Sequence, residues 1–182
     1  MDAESRARAV RLLVLDVDGV LTDGGLYYDH AGQVSKRFDV QDGLGIRLAQ
    51  QAGIEVAVIT GLDSEAVSSR IRRLGIIHYH AGIKNKFPVL QAICAKTGIS
   101  LEQTAYIGDD WVDAEPMSRV GFPVAVANAR PHILSLACLR TGRSGGRGAV
   151  REGIEYILAA QGSLERLWAS FLETGERVSC PG

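Results

Sequence analysis

Nowhere in the 182 residues does an apolar run approach the ~18–20 that a bilayer-spanning helix needs, so no membrane partner is expected. An excess of charge of one sign is also missing: 20 Lys and Arg stand against 21 Asp and Glu, a formal net charge of −1. No global field draws such a chain to nucleic acid, and any anion it binds must be held locally. Cysteine is scarce, and Cys94, Cys138 and Cys180 fit neither a disulfide framework nor a zinc site. The first two are expected as reduced core filler, and Cys180 as a loose tail thiol. The opening Met1-Asp2-Ala3-Glu4-Ser5-Arg6 lacks the apolar core of a secretory signal, and a soluble, cytoplasmic protein is expected. With 46% hydrophobic and 23% charged residues the chain reads as one folded domain, not a disordered one. Glycine is the one excess: 21 residues, about 11.5% against a usual ~7%, with no low-complexity tract to absorb them. Tight turns and close backbone approaches are the expected use.

Strands and helices alternate along the chain. Arg11-Leu12-Leu13-Val14-Leu15 is an apolar run stopped by Asp-x-Asp-Gly, as a strand buried on both faces should be. Residues 54–60 and 104–107 repeat the form, and 123–126 and 138–140 add shorter strands. Helical spacing occupies 43–51, 64–74, 86–97, 130–136, 149–161 and 163–172, with Gly53, Gly75 and Gly98 placed to close three of these helices. Between the first strand and the first helix, Leu26-Tyr27-Tyr28 and 34–38 flank a turn and predict a β-hairpin. The expected fold is α/β: a Rossmann-like three-layer arrangement around a mostly parallel sheet, with a small hairpin insert.

In open sheets of this kind ligands sit beyond the carboxyl ends of the strands. Here those ends carry Asp16 and Asp18, Thr60, and Asp109 with Asp110 and Asp113. Several carboxylates in one crevice are costly without a cation, and a hard divalent ion, Mg²⁺, answers that cost. Taken singly, Asp110 or Asp113 is more simply a helix cap; for the full set that reading needs several coincidences. A metal beside a carboxylate points to phosphoryl chemistry, with Thr60, the amide of Gly61 and Lys86 as candidate phosphate partners. Lysine at a helix start opposes the helix dipole, which favours an anion-binding role for Lys86 over a merely solvated one. His78 and His80, two apart on a strand, read as a strand end and not as a second metal site. Trp111 reads as a helix-start aromatic packed on the hairpin.

The set Leu15-Asp16-Val17-Asp18-Gly19-Val20-Leu21-Thr22-Asp23-Gly24, Ile59-Thr60-Gly61, Lys86 and Gly108-Asp109-Asp110-Trp111-Val112-Asp113 resembles the haloacid dehalogenase superfamily of phosphatases. Phe38-Asp39-Val40-Gln41-Asp42-Gly43-Leu44-Gly45-Ile46-Arg47 and Gly145-Gly146-Arg147-Gly148-Ala149-Val150-Arg151-Glu152 narrow it to the capless family that hydrolyses 3-deoxy-D-manno-octulosonate 8-phosphate. The resemblance runs over residues 11–164. It implies a flexible lead over 1–10, a single phosphatase domain over 11–164 with the hairpin at 24–42, and a C-terminal helix and tail over 165–182.

By resemblance, Asp16 is the nucleophile, and Asp18 the acid and then the base. Mg²⁺ sits on Asp16, the carbonyl of Asp18 and Asp109, supported by Asp110 or Asp113. Thr60, Gly61 and Lys86 hold the phosphoryl group. Asp18, Asp39, Gln41, Asp42, Gly43, Arg47 and Arg70 face the sugar acid, and Arg147 reaches it from a flexible loop or sits on a plain surface turn. The resemblance also implies a homotetramer acting on a small sugar-acid phosphate in lipopolysaccharide inner-core synthesis. Two departures matter: Leu62 and Gln41 stand where the family usually and often, respectively, has arginine. Charged hydrogen bonds are worth roughly 1.5–3 kcal/mol each, so these two positions bear on substrate choice. A phosphatase for a nine-carbon acid phosphate or one of broad tolerance, and a non-catalytic tetrameric partner of a sugar nucleotidyltransferase, are the competing readings.

Overall fold

The computed structural model describes residues 2–174. In chain order the elements are α1 (Ala3–Arg8), β1 (Leu12–Leu15), β2 (Tyr27–Tyr28), β3 (Val34–Ser35), α2 (Val40–Gln51), β4 (Glu55–Ile59), α3 (Glu65–Leu74), β5 (His78–His80) and α4 (Lys86–Thr97). They continue with β6 (Thr104–Gly108), α5 (Ala114–Arg119), β7 (Phe122–Ala125), α6 (Pro131–Leu136), β8 (Leu139–Arg140), α7 (Ala149–Ala160) and α8 (Leu164–Thr174). Short 3-10 turns cover Leu101–Gln103 and Trp111–Asp113. Among the described residues no helix is long and apolar enough to cross a membrane.

Every pairing in the six-stranded sheet, ordered β5-β4-β1-β6-β7-β8, is parallel. Sheets of this kind need both faces covered, and β1 is accordingly buried along its whole length. On one face α2 packs against α7, which also holds α1, while α4, α5 and α6 cover the other. The chain winds outward from β1 through β4 to β5, then crosses back by α4 to β6 on the other side of β1. That reversal opens a crevice beyond the ends of β1, β4 and β6, where a ligand of an open sheet belongs. Residues Asp16, Thr60 and Asp109 follow those ends directly.

The hairpin strands β2 and β3 are two residues each, shorter than the expected runs, and Phe38 joins only through one bridge to Thr22. Helix α2 begins at Val40, three residues before the apolar spacing predicts. Asp39 caps it by accepting the amide of Gln41 at 2.8 Å, and the first turn, with Val40 exposed beside Gln41 and Asp42, carries no apolar stripe. Residues 1–10, expected as a flexible lead, carry α1. Asp2 caps that helix, Ala7 and Val10 are buried, and Gln161 Nε2 donates to the carbonyl of Val10 at 2.7 Å. Its apolar side is too small to show as periodicity. Cys94 and Cys138 are free and half-buried. Cys180 and the expected fraying over 175–182 lie outside the described residues.

The Gly-Gly-Arg-Gly loop, expected as a flexible segment, is packed beneath the chain that follows β1. Asn128 donates to the carbonyl of Gly19 at 3.0 Å and accepts the amide of Gly145 at 2.6 Å, while Gly146 donates to the carbonyl of Val20 at 2.9 Å. A side chain at Gly145 would overlap the carbonyl oxygen of Gly19, and one at Gly146 (φ +63°) would overlap the backbone at Thr22 and Asp23. These glycines therefore set how close the loop comes to the catalytic candidates Asp16 and Asp18. Gly145→Ala is expected to lose about 2–3 kcal/mol in urea unfolding by overpacking. Gly98→Ala, which meets nothing within 4 Å at its φ of +68°, should cost only its left-handed backbone strain, about 1 kcal/mol. Equal costs at the two positions would show that the loop yields.

Candidate active site

Asp16 is the first residue past β1 and is buried. Its Oδ1 lies 2.7 Å from Lys86 Nζ, the first side chain of α4, and the same ammonium lies 2.7 Å from Asp113 Oδ1. Asp113 is fully buried and also accepts the hydroxyl of Tyr106 at 2.8 Å and the amides of Asp109 and Asp110 at 3.0 and 3.4 Å. Lys86 thus ties the end of β1 to the loop after β6. The ammonium that the sequence assigns to an anion is held here by two carboxylates, which is how a lysine at a helix start is tolerated.

Carboxylate oxygens of Asp16, Asp109 and Asp113 lie within 4.8 Å of one another. Asp109 Oδ1 is buried without a hydrogen-bond partner among the described residues. Gly19, at φ +92°, admits that carboxylate, because a Cβ there would overlap Asp109 Oδ2. Burial first, then the Asp113 charge, pushes the Asp16 pKa up to about 7. Burial and the charges of Asp16 and Asp113 likewise raise Asp109 to about 7. Burial opposes the Lys86 charge, but Asp16 and Asp113 outweigh it and hold that pKa above the ordinary lysine value. An orphaned carboxylate oxygen among charge-starved oxygen donors fits a hard divalent cation.

The other acidic candidates divide. Asp110 is exposed, and its Oδ1 accepts the amide of Trp111 at 2.7 Å, so it caps the 3-10 turn. Asp113 already has four donors, which suits it to orienting Lys86 and the loop after β6 more than to direct ligation. Thr60 is buried past β4, and its Oγ1 has no hydrogen-bond partner among the described residues, which leaves the hydroxyl free to donate to an incoming phosphate oxygen. Gly61 is exposed four residues ahead of α3, not at that helix's N-terminus.

The residues expected around the sugar are largely spent on the scaffold. The Asp42 carboxylate is buried and accepts the amides of Gly148 and Arg151 at 3.3 and 2.8 Å, capping α7, and burial raises its pKa. Arg47 donates to the carbonyl of Arg73 at 2.6 Å and closes the end of α3. Arg70 donates to the carbonyl of Asp39 at 3.3 Å and lies 6.0 Å over the Phe38 ring; Gly43 leaves room for its guanidinium. Asp39 is a cap. Gln41 and Arg147 present exposed side chains. Trp111, expected to pack on the hairpin, is 67% exposed and meets His132 edge-on at 5.6 Å; among the described residues its ring makes no aromatic contact with the hairpin tyrosines.

Sequence reasoning passed over Lys36. From the end of β3 its ammonium reaches Asp18 Oδ1 at 2.5 Å with the side chain only 1% exposed. Its position in a hairpin strand gave no sign of that reach.

A parallel sheet with this switch point and this buried acid–lysine cluster defines a phosphohydrolase of the haloacid dehalogenase type, and residues 79–150 match the haloacid dehalogenase-like hydrolase family. More closely, the chain belongs to the 3-deoxy-D-manno-octulosonate 8-phosphate phosphatase family. It is 45% identical over 161 residues to 3-deoxy-D-manno-octulosonate 8-phosphate phosphatase KdsC of Salmonella typhi, covering 88% of this chain and 86% of that one. The Yersinia pestis phosphatase of the same name superposes with a TM-score of 0.88 at 44% identity, over 90% of this chain and 89% of that one. The Moraxella catarrhalis phosphatase, solved with magnesium, phosphate and KDO, gives a TM-score of 0.91 at 39% identity, over 93% and 97%.

A carboxylate raised on folding takes up protons in the native state first, so metal-free stability should fall as pH rises from 3.8 to about 7. Mg²⁺ competes with those protons. Its thermal stabilisation should therefore be larger at about pH 8 than at about pH 6 in differential scanning fluorimetry. Equal increments would separate metal binding from these two carboxylates.

Proposed function

We propose that this chain is a Mg²⁺-dependent phosphatase converting 3-deoxy-D-manno-octulosonate 8-phosphate to the free sugar acid and phosphate in lipopolysaccharide inner-core synthesis. The carrying observation is Asp16 and Asp109 facing each other at the switch point, with Lys86 between Asp16 and Asp113, in a chain 45% identical to KdsC. Asp16, Asp109 and the carbonyl of Asp18 would hold Mg²⁺, which when bound supplies charge screening for an anionic nucleophile approaching an anionic ester.

Asp16 attacks phosphorus with a carboxylate oxygen. The bond from phosphorus to the sugar oxygen breaks, and that oxygen keeps the electron pair and takes a proton from Asp18. Water then attacks the aspartyl-phosphate, Asp18 takes its proton, and the Asp16 carboxylate is restored as phosphate departs. Thr60 Oγ1, the Gly61 amide and Lys86 meet the phosphoryl oxygens, where donors fixed in advance lower the barrier most. Gln41 and Arg147 are the exposed groups left to meet the sugar acid; Asp39, Asp42, Gly43, Arg47 and Arg70 act through the scaffold.

We also read the protein as a cytoplasmic homotetramer. Support comes from a hairpin too small to seal the crevice alone, which leaves Leu26, Tyr27 and Tyr28 exposed. Four-chain mass is expected in analytical ultracentrifugation, and a monomer at assay concentration would overturn this.

For the reaction, kcat/KM for the eight-carbon acid phosphate should exceed that for hexose phosphates and 4-nitrophenyl phosphate by about 100-fold. Chelator should abolish turnover, and Asp16→Asn should lower kcat by about 10³-fold or more with the fold intact. Uniform weak rates across the panel would leave the catalytic core standing and reject the substrate. A preference for nine-carbon acid phosphates would point to Leu62 and Gln41.

A further inference from the structure

The hairpin is marginal by its own means. Two-residue strands with exposed tyrosines do not hold themselves in water, so contacts elsewhere must fix it. Those contacts include the Thr22–Phe38 bridge, Arg37 donating to the carbonyl of Gly146, and Lys36 on Asp18. The first two would serve any tether. Lys36 is different, because an ammonium 1% exposed is costly to bury, and an apolar residue of similar length would anchor a hairpin more cheaply. Its ion-pair partner among the described residues is Asp18 alone, and Thr22 Oγ1 meets the same oxygen, Oδ1, at 3.5 Å.

The cleft between the hairpin and the loop after β4 is lined by Tyr28, Val34, Lys36, Leu62, Asp63 and Glu65, among others. Lys36 is the one cation among its described lining residues. Leu62 contributes an apolar wall to the cleft.

We propose that Lys36 is the positioning residue for Asp18: by holding Oδ1 from the hairpin it aims Oδ2 at the leaving-group oxygen, coupling hairpin placement to proton delivery. The proposal rests on the assignment of Asp18 as the acid given above. Lys36 makes no bond to the reacting atoms. Its effect is on how well one proton reaches one oxygen as the phosphorus–oxygen bond breaks.

The test is the dependence of kcat/KM on leaving-group pKa, measured with Mg²⁺ over aryl and alkyl phosphates for wild type, Lys36→Met, Lys36→Gln and Lys36→Arg. This parameter stops at the first irreversible step, so it isolates leaving-group departure from later hydrolysis of the aspartyl-phosphate. General acids contribute about 10²–10⁴-fold, and only poor leaving groups need the proton. The slope should steepen in Lys36→Met and Lys36→Gln, with losses on alkyl phosphates about tenfold greater than on 4-nitrophenyl phosphate, and Lys36→Arg should restore part of the difference. Equal losses across all leaving groups would reduce Lys36 to a structural tether and overturn the proposal, as would no loss on any. Should Lys36→Met fail to fold, Lys36→Gln against Lys36→Arg carries the same slope. Asp16-dependent hydrolysis of aryl phosphates without activity on the eight-carbon substrate would reject the substrate reading while the slope still judges Lys36; absence of any Asp16-dependent hydrolysis would remove both.

Discussion

The Lys86 ammonium, buried between two carboxylates, organises this molecule's crevice. Lys86 sits at the first turn of α4, where the helix dipole repels it, and within 2.7 Å of carboxylates from two other elements. Burying such a group is tolerable only because both partners are charged and one, Asp113, is itself held by Tyr106 and two amides. The consequence is positional. The end of β1, the start of α4 and the loop after β6 cannot move apart without stranding a charge, so Asp16 and Asp109 are kept face to face.

Backbone proximity is the second constraint, and glycine meets it. Gly19 admits the Asp109 carboxylate, Gly108 leaves room for Asp113, whose Cβ would otherwise be 2.6 Å away, and Gly145 and Gly146 slide under the segment that carries Asp18. The glycine surplus in the composition thus has a specific use. At these four positions backbone meets a carboxylate or another backbone segment closer than any Cβ permits.

What was legible in the sequence follows from range. Strand runs ending in Asp, Thr or Gly announced β1, β4 and β6 and put Asp16, Thr60 and Asp109 in one crevice, because a parallel sheet aligns such ends by rule. Capping across elements was not legible. Asp42 and Arg47 look like polar groups beside a site, yet Asp42 holds the start of α7, more than a hundred residues away, and Arg47 the end of α3. Lys36 was hidden for the same reason in reverse. A lysine in a short polar hairpin segment reads as solvated, and only the folded hairpin shows the Lys36 side chain, just past β3, buried on Asp18. The small apolar side of α1 escaped periodicity because Ala7 and Val10 are too few to make a stripe.

The charge content of the crevice connects these observations. Asp16, Asp18, Asp109 and Asp113 bring four carboxylates, against which the structure sets two ammoniums, Lys86 and Lys36. With all groups ionised, two negative charges are left, which matches one divalent cation. Without that cation the deficit falls on Asp16 and Asp109, and it is these two whose pKa rises to about 7. Each ammonium is committed to a different carboxylate, Lys86 beside Asp16, the proposed nucleophile, and Lys36 beside Asp18, the proposed acid. The division lets the phosphoryl side and the leaving-group side be set independently: the first by the sheet and α4, the second by a hairpin that could change with the substrate. Leu62 lines the cleft beside Lys36 and the hairpin, so a change there leaves the ion pair that holds Asp16 untouched.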